Sequence, residues 1–112
     1  TVENMTMSQR LTLSNMAVEA GAKVGLIASD KVTFKYLKEM GRRNKYREIK
    51  PDSDATYEKT IAIDVSKLES QISFPHTVDN THPLSQAKGI KIQQVFLGTC
   101  TNARLEDLKL FY

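Results

Sequence analysis

The sequence predicts an α/β fold, and three observations predict it. Two stretches, 6–21 and 29–41, carry apolar residues at helical spacing between a capping residue and a glycine. Short apolar or alternating runs recur at 24–28, 61–65 and 93–97, the lengths and patterns of strands. Neither an internal repeat nor a low-complexity segment points to a solenoid or a disordered tail instead.

The first helix opens on a capping box. Thr6-Met7-Ser8-Gln9 sets a hydroxyl and an amide three residues apart, where each satisfies a free backbone N–H of the first turn. Leu11, Asn15, Val18 and Glu19 then recur at helical spacing, as do Leu13, Met16, Ala17 and Ala20. Gly21 is the expected stop, because it takes positive φ without a Cβ clash. The run Val24-Gly25-Leu26-Ile27-Ala28 predicts a buried strand. Ser29 or Asp30 caps the second helix, which carries Val32, Tyr36, Leu37 and Met40 and closes at Gly41.

A basic loop follows, then a turn at Pro51-Asp52-Ser53-Asp54. Ile61, Ile63 and Val65 alternate with Thr60, Ala62 and Asp64, the period-2 pattern of a strand with one covered face. Ile72-Ser73-Phe74 predicts another strand, stopped by Pro75. Residues 75–89 hold both histidines and little periodicity, and are expected to form a connecting loop. Residues 93–97 predict a strand, and Ala103 onward a helix through Leu105, Leu108 and Phe111. A domain boundary is expected near 80–90, with residues 1–85 before it and 86–112 after it.

The bulk properties bound the function. A chain of 112 residues, 40% hydrophobic and 26% charged, has a globular composition and room for a modest core. No apolar run approaches the roughly 20 residues of a membrane span, and no leader pattern opens the sequence, so no membrane partner is expected. A lone cysteine makes no internal disulfide and fits a reducing compartment, the cytoplasm. The start at Thr1 and the end soon after a helix begins are the expectation of a piece of a longer protein. The net charge of +3 is uneven: residues 31–50 hold eight basic side chains against Glu39 and Glu48. That patch reads as a solvated helix face and loop; of the nearby aromatics Phe34, Tyr36 and Tyr46, the first two are expected to serve helix packing, and without a reader motif nucleic acid is not the expected partner.

The candidate chemistry centres on Cys100 in VFLGTCTNARLEDL. A thiol at a strand-to-helix corner lies where open α/β sheets bind ligands, and a helix start favours thiolate over thiol. Thr99, Thr101 and Asn102 flank it with hydrogen-bonding groups suited to a charged sulfur rather than an apolar niche. One cysteine alone is a poor metal site. His76 and His82 have neither helical nor zinc-motif spacing and read as surface histidines. Asn15 and Glu19, four apart, are expected to share a helix face and present an amide beside a carboxylate.

Two stretches, MTMSQRLTLSNMAVEAGAKVGLI and QVFLGTCTNARLEDL, resemble the aconitase superfamily, and within it the branch of isopropylmalate dehydratases and homoaconitases. The intervening PHTVDNTHPL is similar to the archaeal-type members. The resemblance implies an aconitase-like three-layer αβα architecture, present in part, and a hydro-lyase that isomerises a small hydroxy acid by dehydration and rehydration. It implies a [4Fe–4S] cluster held by three cysteines, one iron acting as Lewis acid, and a small subunit as partner. Cys100 matches the first cluster cysteine and is the implied metal ligand, with Asn102 in the same cofactor-binding corner. Glu19 matches a catalytic glutamate and Asn15 a neighbouring active-site asparagine.

The Cys-x-x-Cys pair, serine base, arginines and histidines of the family's active site are absent from these residues. The piece by itself is therefore expected neither to hold a stable cluster nor to turn over substrate. Isopropylmalate, in leucine synthesis, is the expected substrate, with homoaconitate the alternative. Two readings of other classes compete: a cluster-free RNA-binding or interaction module using the 31–50 patch, and Cys100 as a lone nucleophile.

Overall fold

The computed structural model describes residues 2–112, which form two compact units. One runs to Ala55 and resumes at Leu97–Tyr112; the other is Thr56–Phe96. Helices and a small sheet are both present, as an α/β fold requires.

In the first unit, helix α1 spans Met7–Asn15 and opens on the expected capping box. The Gln9 N–H donates to Thr6 Oγ1 at 3.3 Å, and the Thr6 N–H donates to Gln9 Oε1 at 2.9 Å. The helix ends sooner than its periodicity predicts, with Met16 at the cap and turns over 16–21. Ser14 and Asn15 are weak helix formers, because their side chains compete for backbone groups. Gly21 therefore does not stop the helix but closes the turns that follow it. Its φ is +76°, and the paired bonds Gly21 N to Val18 O and Ala22 N to Ala17 O, both 2.9 Å, close a Schellman motif.

Helix α2 spans Lys31–Glu39, with Asp30 as N-cap accepting from the N–H groups of Val32 and Thr33. It closes as predicted. Gly41, at φ +69°, donates to Lys38 O, and Arg42 N donates to Leu37 O. Helix α3 spans Leu105–Phe111, and its first turn is held by Asp107 Oδ2 accepting from the Arg104 N–H at 2.9 Å.

The second unit holds the sheet. Strand β1, Gln71–Ser73, pairs antiparallel with β2, Thr81–Pro83, with Ile72 opposite His82. The expected loop over 75–89 thus contains a strand and a 3₁₀ turn, Leu84–Ala87. Local polar bonding makes this hairpin: Ser73 Oγ and Thr81 Oγ1 both donate to Val78 O, and Asn80 Nδ2 donates to Pro75 O. A three-residue strand ending in proline leaves no period-2 trace, so the sequence pattern could not register it.

The other predicted strands form no ladder. Residues 24–28 and 93–97 are extended or irregular, and 61–65 leads into a 3₁₀ turn, Val65–Lys67, capped by Asp64. A ladder needs a neighbouring backbone to pair with, and within each unit these runs find none. Most of their apolar side chains stay in solvent, Leu26 at 87% and Phe96 at 82% exposure, while Ile27 is partly covered. Among the described residues no apolar side chain is buried; the buried residue is Arg10.

Candidate active site

The cysteine loop builds its own frame. Thr99 N donates to Asn102 O at 2.9 Å, and Thr99 Oγ1 accepts from the Thr101 N–H at 3.2 Å. Asn102 Oδ1 accepts from two donors, the Ala103 N–H at 3.1 Å and Arg104 Nη1 at 3.0 Å. The loop is entered and left through unusual backbone, Gly98 at φ +128° and Ala103 at φ +145°. Cys100 sits between them with its thiol exposed.

Two bonds hold this loop on α1 across most of the chain. Thr101 Oγ1 donates to Asn15 Oδ1 at 2.7 Å, and Arg104 Nη1 donates to Thr12 Oγ1 at 3.2 Å. Thr12 in turn donates to Ser8 O, so its hydroxyl is used in both senses. A cleft of about 290 Å³ opens alongside, lined among others by Met5, Leu13, Met16 and Asn102.

The structure therefore brings Asn15, Cys100 and Asn102 into one neighbourhood. It corrects the helix-face pairing of Asn15 and Glu19: Asn15 is the last residue of α1, and Glu19 is exposed on the turn that follows. It also corrects the surroundings of the thiol. Helix α3 begins at Leu105, so Arg104 and the strained Ala103 stand between Cys100 and any free helical N–H. The polar groups of Thr99, Thr101 and Asn102 bind the loop and α1. Thr12 and Arg104 were not singled out by the sequence, because contacts between residues so far apart leave no local periodicity.

Among the described residues, no group of three or more His, Cys, Asp or Glu side chains is placed to hold a metal ion. His82 is committed to the hairpin. Its ring stacks on Phe74 with centroids 4.9 Å apart, and its nitrogens lie 2.9 Å from Asn80 Oδ1 and 3.1 Å from Gln86 Oε1. His76 is exposed. The eight basic side chains of 31–50 are all exposed. Phe34 takes Tyr46 edge-on at 5.3 Å and the Arg43 guanidinium over its face at 5.6 Å. No helix is long and apolar enough to cross a membrane among the described residues.

The chain belongs to the aconitase family (aconitate hydratase), whose model matches residues 1–89. Individual relatives match further. The chain is 54% identical over 110 residues to a 3-isopropylmalate dehydratase large subunit of Elusimicrobium minutum, covering 98% of this chain and 26% of that protein. It is 54% identical over 111 residues to a 3-isopropylmalate dehydratase large subunit of Thermotoga maritima, covering 97% of this chain and 27% of that protein. The corresponding identity to one of Pyrococcus furiosus is 50% over 111 residues, covering 97% and 26%. The chain thus spans about a quarter of the length of the curated relatives it matches.

Proposed function

We propose that this sequence is the part of a 3-isopropylmalate dehydratase large subunit that contributes the first cluster cysteine and one wall of the active site. The observation that carries the reading is the identity to such subunits over nearly the whole chain, which takes in the Cys100 loop. The contact of that loop with the end of α1 supports it, because Thr101, the residue after Cys100, hydrogen-bonds the Asn15 amide. Residues 1–85 are then the end of one three-layer αβα domain and 86–112 the start of the next. Runs such as 24–28 and 93–97 pair with strands contributed from outside this sequence, and the whole works in the cytoplasm with a small subunit.

The residues present fit one corner of a [4Fe–4S] cluster. The Cys100 thiol is exposed, and the polar groups around it are engaged with the loop and α1. The remaining thiolates come from beyond these 112 residues, which contain one cysteine. When bound, such a cluster supplies a Lewis acid for a hydroxyl and a carboxylate. Cys100 is the metal ligand, Asn102 supports it from the same loop, Asn15 hydrogen-bonds the hydroxy acid, and Glu19 moves the proton of the departing or entering hydroxyl.

The test is to assemble the full-length large subunit carrying this sequence with its small subunit, anaerobically, with iron and sulfide. Turnover of isopropylmalate with loss of both iron and activity in Cys100→Ser is the expected result. Strong preference for homoaconitate would move the assignment to that substrate. A wild-type complex that takes up no iron would overturn the reading.

A further inference from the structure

Arg104 lies outside every role assigned so far, yet it is the side chain that joins the cysteine loop to both itself and α1. Its Nη1 donates to Asn102 Oδ1 at 3.0 Å and to Thr12 Oγ1 at 3.2 Å. Thr12 is fixed in turn by its bond to Ser8 O at 3.2 Å. The guanidinium is thus anchored on α1 and reaches over to the residue two positions after the cysteine.

Building on the functional reading above, we propose that Arg104 is a positioning residue that locks the Asn102 carboxamide in one orientation, leaving its NH₂ as a donor for cluster sulfur. A carboxamide has one accepting end and one donating end. At Asn102 the oxygen already meets two groups, the Ala103 N–H and the Arg104 guanidinium, and neither can accept a hydrogen bond. Turning the amide over would set NH₂ against both donors. The oxygen end is therefore fixed inward, and Nδ2 is the end left for a partner. Asn102 is exposed, and among the described residues its Nδ2 makes no hydrogen bond. Both contacts come from the single nitrogen Nη1, so a lysine ammonium reaching the same point could replace them in part.

An N–H donor to sulfur stabilises the more negative, reduced form of an iron–sulfur centre, so hydrogen bonding to sulfur is one of the determinants of its potential. Losing the lock lets the amide rotate and withdraws that donor. Residues that orient a metal site from behind its ligands typically cost 10- to 100-fold when removed.

The experiment uses the assembled two-subunit enzyme with its cluster reconstituted, comparing wild type, Arg104→Met, Arg104→Lys, Asn102→Ala and the Met/Ala double variant. The readouts are iron per chain, the EPR spectrum, the midpoint potential, and kcat separately from KM. Arg104→Met should lower the midpoint potential and reduce kcat about 10- to 100-fold with a smaller change in KM. Arg104→Lys should recover part of both, and the double variant should match Asn102→Ala alone, because the arginine acts through that amide. Should Arg104→Met load no iron, the same cycle is read with Arg104→Gln. Additive effects, or an Arg104 variant with the wild-type spectrum and potential, would overturn the inference while leaving the enzyme assignment standing. A wild-type complex without a cluster takes down both.

Discussion

Arg10 grips Asp30 through two parallel hydrogen bonds, Nη1 to Oδ1 and Nη2 to Oδ2, each 2.8 Å long. The pair ties α1 to the N-terminus of α2, since Asp30 is also the cap of that helix. Arg10 Nη2 adds a bond to Glu3 O at 3.0 Å, and the residue is only 2% exposed. Asp30 stays partly open at 35% side-chain exposure. Among the described residues no apolar side chain is buried, and the buried residue is this arginine. Planar two-point recognition of a carboxylate is what the guanidinium fork does best.

The clamp sets an acid limit on α2. The hydrogen bond from Arg10 does most to lower the Asp30 pKa, partial burial opposes it, and the N–H groups of Thr33 and Val32 lower it further, to about 2. Because the folded value lies below the ordinary 3.8, the contribution is full above that pH and is lost as the pH falls toward 2. Asp30→Asn keeps a capping side chain but drops the ion pair. Hydrogen exchange at Val32 and Thr33 in the assembled enzyme should therefore be faster in the variant at neutral pH. The difference from wild type should shrink between pH 4 and 2, and a difference that is independent of pH would refute the clamp's role.

Ala103 carries a backbone strain that glycine would not. Its φ of +145° lies where a Cβ is unfavourable. Ala103→Gly should be neutral to stabilising, by about 1 kcal/mol, with the cysteine loop retained. Denaturant midpoints of the two enzymes measure this, and a clear loss of stability would contradict the assigned backbone.

Gly25 shows the opposite case. A Cβ there would lie 3.0 Å from Ser14 Cα and 3.0 Å from Ser14 O, with Ala17 Cβ at 3.1 Å. Two of these neighbours are backbone at the end of α1, which cannot swing aside as a side-chain tip does. Gly25→Ala should cost about 1–3 kcal/mol, the usual range for overpacking. It should also disturb the turn that carries Glu19. An unchanged melting temperature would show that the 24–28 segment does not press on α1.

Glu19→Gln tests the proton-transfer role. Loss of a positioned acid–base group costs about 10²- to 10⁴-fold in rate, so kcat should fall by that factor while KM and cluster content hold near wild type. Equal losses of iron and activity would place Glu19 in the structure of the site rather than in its chemistry.

Residues that act on their near neighbours were legible from the sequence. Thr6 with Gln9, Asp30 at the head of α2, and the stop at Gly41 all formed as their local chemistry requires. The cysteine loop was legible as a candidate site because a lone thiol amid Thr and Asn residues is unusual in composition. The end of α1 at Asn15 was not, since apolar periodicity continues through the turns that follow it.

What the sequence determined by itself is therefore the set of caps, turns and chemically capable side chains, whose partners lie within a few residues. Tertiary structure alone decided that Thr101 meets Asn15, that Arg104 reaches Thr12 and Asn102, and that Arg10 closes on Asp30. It also decided that the runs at 24–28, 61–65 and 93–97 remain without a ladder here. A strand's pattern records that one face is to be covered, but the covering backbone is a separate segment, and no local sequence encodes whether it is at hand.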